Sequence, residues 1–211
     1  MSKEVPFAPF FGERITSPKF RVSYPYLHLP NTKENFPRSR YPSGKYELQA
    51  LFPKDTDLSA LKEACEHTAK NTDGWEGVAK EDIVFPMRDG DEREETKGYW
   101  VLKLKAFKDK KPDTVRKVDG KFFAMAPKEI YGGCWARASM TPFSYEASET
   151  VVDAVTKKRV TVVKRGISLA LNNVMFVADG ERFVGKGGSA TSDFADTEDS
   201  EVSQEGGEGV W

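Results

Sequence analysis

The 211-residue chain has only two cysteines, Cys65 and Cys134, and only two histidines, His28 and His67. Two thiols cannot staple a chain of this size, so a reducing compartment is expected. Neither histidine has Cys, Asp or Glu at a metal-ligand spacing, and His67 reads as a surface or packing residue on a helix. No apolar run approaches the ~18 residues of a membrane span. Residues Met1 to Pro6 lack the basic start and apolar stretch of a secretory signal. Nothing cradles a phosphate: Gly185-Lys186-Gly187-Gly188-Ser189 has no buried strand before it and no helix after it. These absences argue against extracellular, membrane and disulfide-rich classes.

What the chain does have is aromatic and charged. It holds 14 Phe, 7 Tyr and 4 Trp, 38% hydrophobic residues and 31% charged ones, enough for one elaborated domain with a real core. The net charge of -1 hides an asymmetry. Residues 190–211 carry seven acids and no base, which leaves 26 acids against 32 bases in the body, a net of +6. A basic body with an acidic tail suggests a polyanion partner and an internal competitor for the same surface.

Seven prolines among the first 45 residues point to extended arms and edge strands there. Strands are expected at Lys19 to Tyr24 and Lys45 to Phe52, the latter with Tyr46, Leu48, Ala50 and Phe52 on one face. One helix follows, capped by Asp55 or Asp57, with Leu58, Leu61, Ala64, Cys65 and Thr68 at helical spacing and Gly74 ending the region. Arg88 to Glu92 reads as a charged turn. Gly98 to Phe107 alternates most cleanly, with Trp100, Leu102, Leu104 and Ala106 facing the core. Val115 to Phe123 carries an Asp119-Gly120 hairpin turn. Further strands are expected at Cys134 to Met140, Arg159 to Leu171 and Val174 to Val177. Many short strands and one helix indicate a small all-β barrel or sandwich. The Gly187-Gly188-Ser189 linker should open into a disordered tail.

The remaining signal is a set of bases interleaved with aromatics on strand faces. Tyr99 and Phe107 flank Lys103 and Lys105, Trp135 shares a face with Arg137, and Arg21 precedes Tyr24 and Tyr26. Solvated faces rarely place large rings in the open. Such a face suits single-stranded nucleic acid, whose bases stack on rings while Lys and Arg neutralise phosphates. Cys134, alternating with Ala136, Ala138 and Met140, reads as an inert buried thiol.

Several blocks resemble one family. Glu129-Ile130-Tyr131-Gly132-Gly133-Cys134-Trp135-Ala136-Arg137-Ala138 is similar to a motif of the Enc34-like phage single-stranded-DNA-binding proteins. Gly166 to Val174 and Asp179 to Gly185 match that family's next two blocks. Arg21 to Leu27, Pro86 to Asp91 and Lys111-Pro112 fit earlier ones. The likeness runs in order, with gaps, from about Arg14 to Phe194. It implies an OB-fold related to the single-stranded-DNA-binding protein of phage T7, a role in coating DNA during replication and recombination, and an acidic tail ending in an aromatic residue.

The expected fold is therefore mainly β: an OB-fold-centred Greek-key barrel with one helix, extended N-terminal arms and a disordered acidic tail. Residues 1–189 form the DNA-binding domain and 190–211 the tail. The expected function is non-catalytic, with no cofactor and no metal. Strand parity assigns DNA contacts to Arg21, Tyr24, Tyr99, Lys103, Lys105, Phe107, Trp135 and Arg137. The tail residues Asp193, Asp196, Glu198, Asp199, Glu201, Glu205, Glu208 and Trp211 are assigned to autoinhibition and to phage DNA polymerase and helicase/primase. Host cytoplasm is the expected location, and a homodimer is allowed. Two alternatives stand beside this reading: a metal-dependent nuclease or nucleotide hydrolase using Asp89 and Asp91, and a protein-interaction module using the aromatic face.

Overall fold

Alternating apolar and polar side chains drive most of the chain into strands. The computed structural model describes residues 7–107, 110–152 and 158–183. Its strands are β1 (Ile15–Thr16), β2 (Phe20–Tyr26), β3 (Glu47–Pro53), β4 (Ile83–Val84), β5 (Met87–Asp89), β6 (Tyr99–Lys105), β7 (Asp113–Val118), β8 (Lys121–Ala124), β9 (Trp135–Val152) and β10 (Arg159–Ala178). Five of them close a ring. β2 pairs with β3, β3 with β6, β6 with β10, β10 with β9, and β9 returns to β2. Every ring pairing is antiparallel except β6 with β10. Three strands in succession followed by a crossing pair is the Greek-key order of an OB-fold barrel.

Inward-facing residues fill the barrel: Phe20 and Val22 on β2, Leu48, Ala50 and Phe52 on β3, Leu102 and Leu104 on β6 are all buried. The small residues Ala136 and Ala138 come from β9, where their size leaves room for the Phe20–Phe52 edge contact at 5.4 Å. Trp100 lies on the predicted side but only half-buried. It packs against the core cluster, and the Lys54 ammonium sits 3.9 Å from its ring centroid.

The single α-helix among the described residues, α1 (Ser59–Lys70), follows β3 and precedes β4; it contacts β9 and β10 and buries Leu61, Cys65 and Thr68. Of the two expected caps, Asp57 accepts the Ser59 amide at 2.9 Å. Burial pushes the Cys65 thiol up to about 12 and also raises Cys134, so both behave as inert packing groups.

Two strands differ from the sequence expectation, whereas the N-terminal arm is extended and edge-paired as expected. β9 runs far past Met140, because its partner β10 keeps pairing out to Arg159 opposite Val152. β10 is one strand, and the break expected between Leu171 and Val174 is a bulge at Asn172. The N-terminal arm is a nearly continuous lane along β9, with Phe11 opposite Phe143, β1 opposite Ser139 and Met140, and Phe20–Arg21 opposite Trp135 and Ala136. The expected disordered tail lies outside the described residues.

Candidate nucleic-acid interface

Direct cross-strand partners share a sheet face, so register alone reveals which outward side chains are neighbours. On the sheet face opposite the barrel core, one row reads Trp135 (β9), Arg21 (β2), Leu51 (β3) and Val101 (β6), of which Leu51 and Val101 are buried. The next row is Ser23, Gln49 and Lys103, and the third is Tyr26, Glu47 and Lys105. Arg21, Trp135, Lys103 and Lys105 therefore share the face opposite the barrel core, with Leu51, Val101, Ser23 and Glu47 buried between them. Its centre is formed by the second and third barrel strands, the usual oligonucleotide face of an OB-fold.

At one end of this wall, cations and rings interleave. The Arg21 guanidinium lies 5.5 Å from the Trp135 ring and 4.8 Å from Phe183, and Lys19 lies 5.3 Å from Trp135. Arg21 donates through Nε to the Gly133 carbonyl at 2.5 Å and through Nη2 to the Glu181 carbonyl at 2.6 Å. It thus ties two of the recognised blocks together while stacking. Beside it, Arg182 stacks on Tyr131 at 4.0 Å, and the Tyr131 hydroxyl donates to Asp179 Oδ1 at 2.8 Å. Gly133 makes the docking feasible. It has φ +107°, and a Cβ there would collide with the Glu181 carbonyl oxygen. Only glycine satisfies both conditions.

Toward the other end, Lys103 reaches the Glu47 carboxylate at 3.2 Å. Glu47 is 3% exposed and also accepts from Asn31 Nδ2 at 2.7 Å, while its Oε2 has no partner. Lys105 has no ion pair among the described residues. Partial burial, then the charges of Lys103 and Lys45, hold its ammonium below its ordinary pKa. A phosphate would relieve that repulsion.

The other expected residues are placed as follows. Arg137 shares the Trp135 face but donates to the Ser17 carbonyl at 3.1 Å. Phe107 joins Phe11 and Phe143 in a cluster with centroids 5.7–5.8 Å apart. Tyr24 is exposed on the β2 bulge with φ 46°. Tyr99 begins β6, opposite Pro53. Register thus links four of the eight, Arg21, Trp135, Lys103 and Lys105, and the other four lie outside these rows. The tail residues Asp193 to Glu208 and Trp211 lie outside the described residues.

Sequence reasoning missed the loop joining β2 to β3, which adjoins Lys105 through the Ala106 amide bonded to the Tyr46 carbonyl. Tyr41 is its most exposed ring, with exposed Arg38 and Arg40 beside it. The Arg-Ser-Arg-Tyr run was a visible signal, obscured by the surrounding prolines. The alternative acids are occupied: Asp89 and Asp91 both pair with Lys54, and Asp91 also accepts the Gly98 amide at 2.7 Å. Among the described residues no cluster of three or more His, Cys, Asp or Glu could hold a metal, and no helix is long and apolar enough to cross a membrane.

An OB barrel with cations and rings interleaved across its outward wall is the form of a single-stranded-nucleic-acid-binding protein. The family model described as the single-stranded-DNA-binding protein of Enterobacter phage Enc34 matches residues 13–204. The chain belongs to that family, whose members are non-enzymatic phage single-stranded-DNA-binding proteins. The solved single-stranded-DNA-binding protein from bacteriophage Enc34 is 26% identical, with 87% of this chain and 90% of that one covered and a TM-score of 0.53. The same protein in complex with single-stranded DNA is 27% identical over 81% of this chain and 89% of that one, TM-score 0.51. The fold is also shared with gp2.5, a single-stranded-DNA-binding protein of bacteriophage T7, at 19% identity, 94% and 100% coverage and a TM-score of 0.50. No curated protein matches the chain significantly.

Proposed function

We propose that this protein coats single-stranded DNA without catalysis during phage replication and recombination in the host cytoplasm. The observation that carries this reading is the register that sets Trp135, Arg21, Lys103 and Lys105 on one outward wall of the barrel. Rings stack on bases and cations track phosphates, so binding is tight, salt-sensitive and nearly indifferent to sequence. Residues 1–189 act as the binding domain. Residues 190–211, with seven acids, compete with DNA for the basic body and, once displaced, recruit phage DNA polymerase and helicase/primase, with Trp211 as the aromatic anchor.

Salt-titrated binding to dT oligomers beside a duplex, with Mg²⁺ present, tests the first part. The expected result is preference for single strands, no cleavage and a log–log salt slope of about -0.7 per phosphate contacted. Cleavage, or a slope near zero, refutes it. Deleting residues 190–211 should tighten DNA binding, most strongly at low salt, and abolish polymerase and helicase association. Unchanged affinity at every salt concentration refutes the autoinhibition.

A further inference from the structure

Outside the barrel, two hairpins are exposed on both faces among the described residues: the far end of β9–β10 and the whole tip of β7–β8. The hairpin β7–β8 leaves β10 after Phe176, which pairs with Arg116, and residues 116–124 are all solvent-exposed. Phe122 is 63% and Phe123 48% exposed. An isolated ring on a surface is ordinary, but two adjacent rings on a two-stranded finger stay about half exposed or more and lie outside the core cluster. Each ring is matched to a base across the strands: Lys117 opposite Phe122, with the ammonium 5.5 Å from the ring centroid, and Arg116 opposite Phe123. Lys121 adds a third cation near the tip.

Register shows where the finger points. Arg137 pairs with Met175, Met175 with Val115, and Val115 with Ala124. That outward row joins the Trp135 face of β9 to the finger, and by strand parity Lys117 and Phe122 lie on its outward side. Three strand spacings, about 14 Å, separate β9 from β8. That is roughly four nucleotides at the 3.4 Å rise of a stacked strand.

We infer that the Lys117–Phe122 face of the β7–β8 finger is a second stacking site for single-stranded DNA, reached by a strand that leaves the barrel wall past Trp135 and Arg137. The inference rests on the proposed function, since the wall must bind the same strand. Single-stranded DNA is favoured over a protein occupant because the Phe122 ring carries the Lys117 ammonium, so the face offers stacking and charge together. Engagement is a tethered second event, so it adds affinity only for strands long enough to span both sites.

The test compares wild type, Phe122→Ala and Trp135→Ala on dT oligomers of about five and about sixteen nucleotides, the limits of an OB-fold footprint. Phe122→Ala should leave the short oligomer unaffected and weaken the long one about fivefold or more, with the melting temperature unchanged. Lys117→Gln should flatten the salt slope on the long oligomer alone, by about 0.7. Trp135→Ala should weaken both lengths. If Phe122→Ala binds the long oligomer like wild type while Trp135→Ala weakens both, the finger site is overturned and the wall stands. If Trp135→Ala changes neither, the wall itself fails. Sedimentation without DNA tests the other occupant: a self-association abolished by Phe122→Ala, with DNA binding intact, would make the finger a contact between copies and overturn the inference.

Discussion

Lys103 and Lys105 are two residues apart on one strand face, yet the structure assigns them opposite physical burdens. Lys103 neutralises Glu47, a carboxylate 3% exposed whose second oxygen already lacks a partner. At 3.2 Å, an effective dielectric of about 20 gives a gross attraction of about 5 kcal/mol. Breaking a fully buried pair costs about 3–5 kcal/mol. The Lys103 side chain is 38% exposed, so solvent screening reduces this to about 1–3 kcal/mol for Lys103→Ala. In a domain of this size each kcal/mol lowers the melting point by roughly 2–4 °C. Lys103→Ala should therefore melt about 2–12 °C lower by circular dichroism. Adding Glu47→Gln should restore most of the loss, because the uncompensated charge is then gone. Lys105→Ala removes a cation disfavoured first by partial burial and then by Lys103, so its melting point should stay or rise. Its DNA salt slope should flatten by about 0.7. If Lys105→Ala destabilises the fold while Lys103→Ala does not, or if Glu47→Gln rescues nothing, this assignment of roles is wrong.

Trp135→Ala should weaken single-stranded DNA roughly tenfold in a fluorescence titration, given ~1–3 kcal/mol per stacked base, whereas Trp100→Ala should chiefly destabilise the barrel, by up to about 3 kcal/mol since the ring is only half-buried; the reverse pattern would invert the strand parity. Gly133→Ala should unseat residues 179–183, loosening Arg21 and Phe183 and weakening DNA binding, and unchanged affinity would show that this docking does not shape the wall. Lys54 and then the Asp91 amide hold the Asp89 carboxyl below its ordinary 3.8. The stability from this depressed group is full above that value and fades as pH falls through the folded pKa. In Lys54→Met the Asp89 titration, followed by NMR, should rise toward 3.8, and an unmoved titration would remove the ion pair from the account.

Local chemistry determined a good part of this protein. Alternation over Gly98 to Phe107 identified the barrel strand and its inward side, because a strand with one buried face writes a period of two into its sequence. Helical spacing from Leu58 to Thr68 and the Asp119-Gly120 turn did the same for α1 and the β7–β8 hairpin. The blocks around Tyr131 to Trp135 and Asp179 to Gly185 carried the family, and charge counting separated a basic body from an acidic tail. What pairs with what is not local. Alternation says that Arg21 and Trp135 each face outward, but only strand register makes them neighbours. Lys103 read as an unpaired cation because its partner, Glu47, lies 56 positions away on another strand. The break read at Asn172–Asn173 became a bulge, since pairing with β9 carries the strand across it. Tyr41 and the finger residues Phe122 and Phe123 could not be recognised as exposed from their types, because a ring in a sequence reads as core until the sheet that might cover it is known to be absent. Burial, ion pairing and the sharing of a face are properties of distant segments brought together, and those the tertiary structure alone decided.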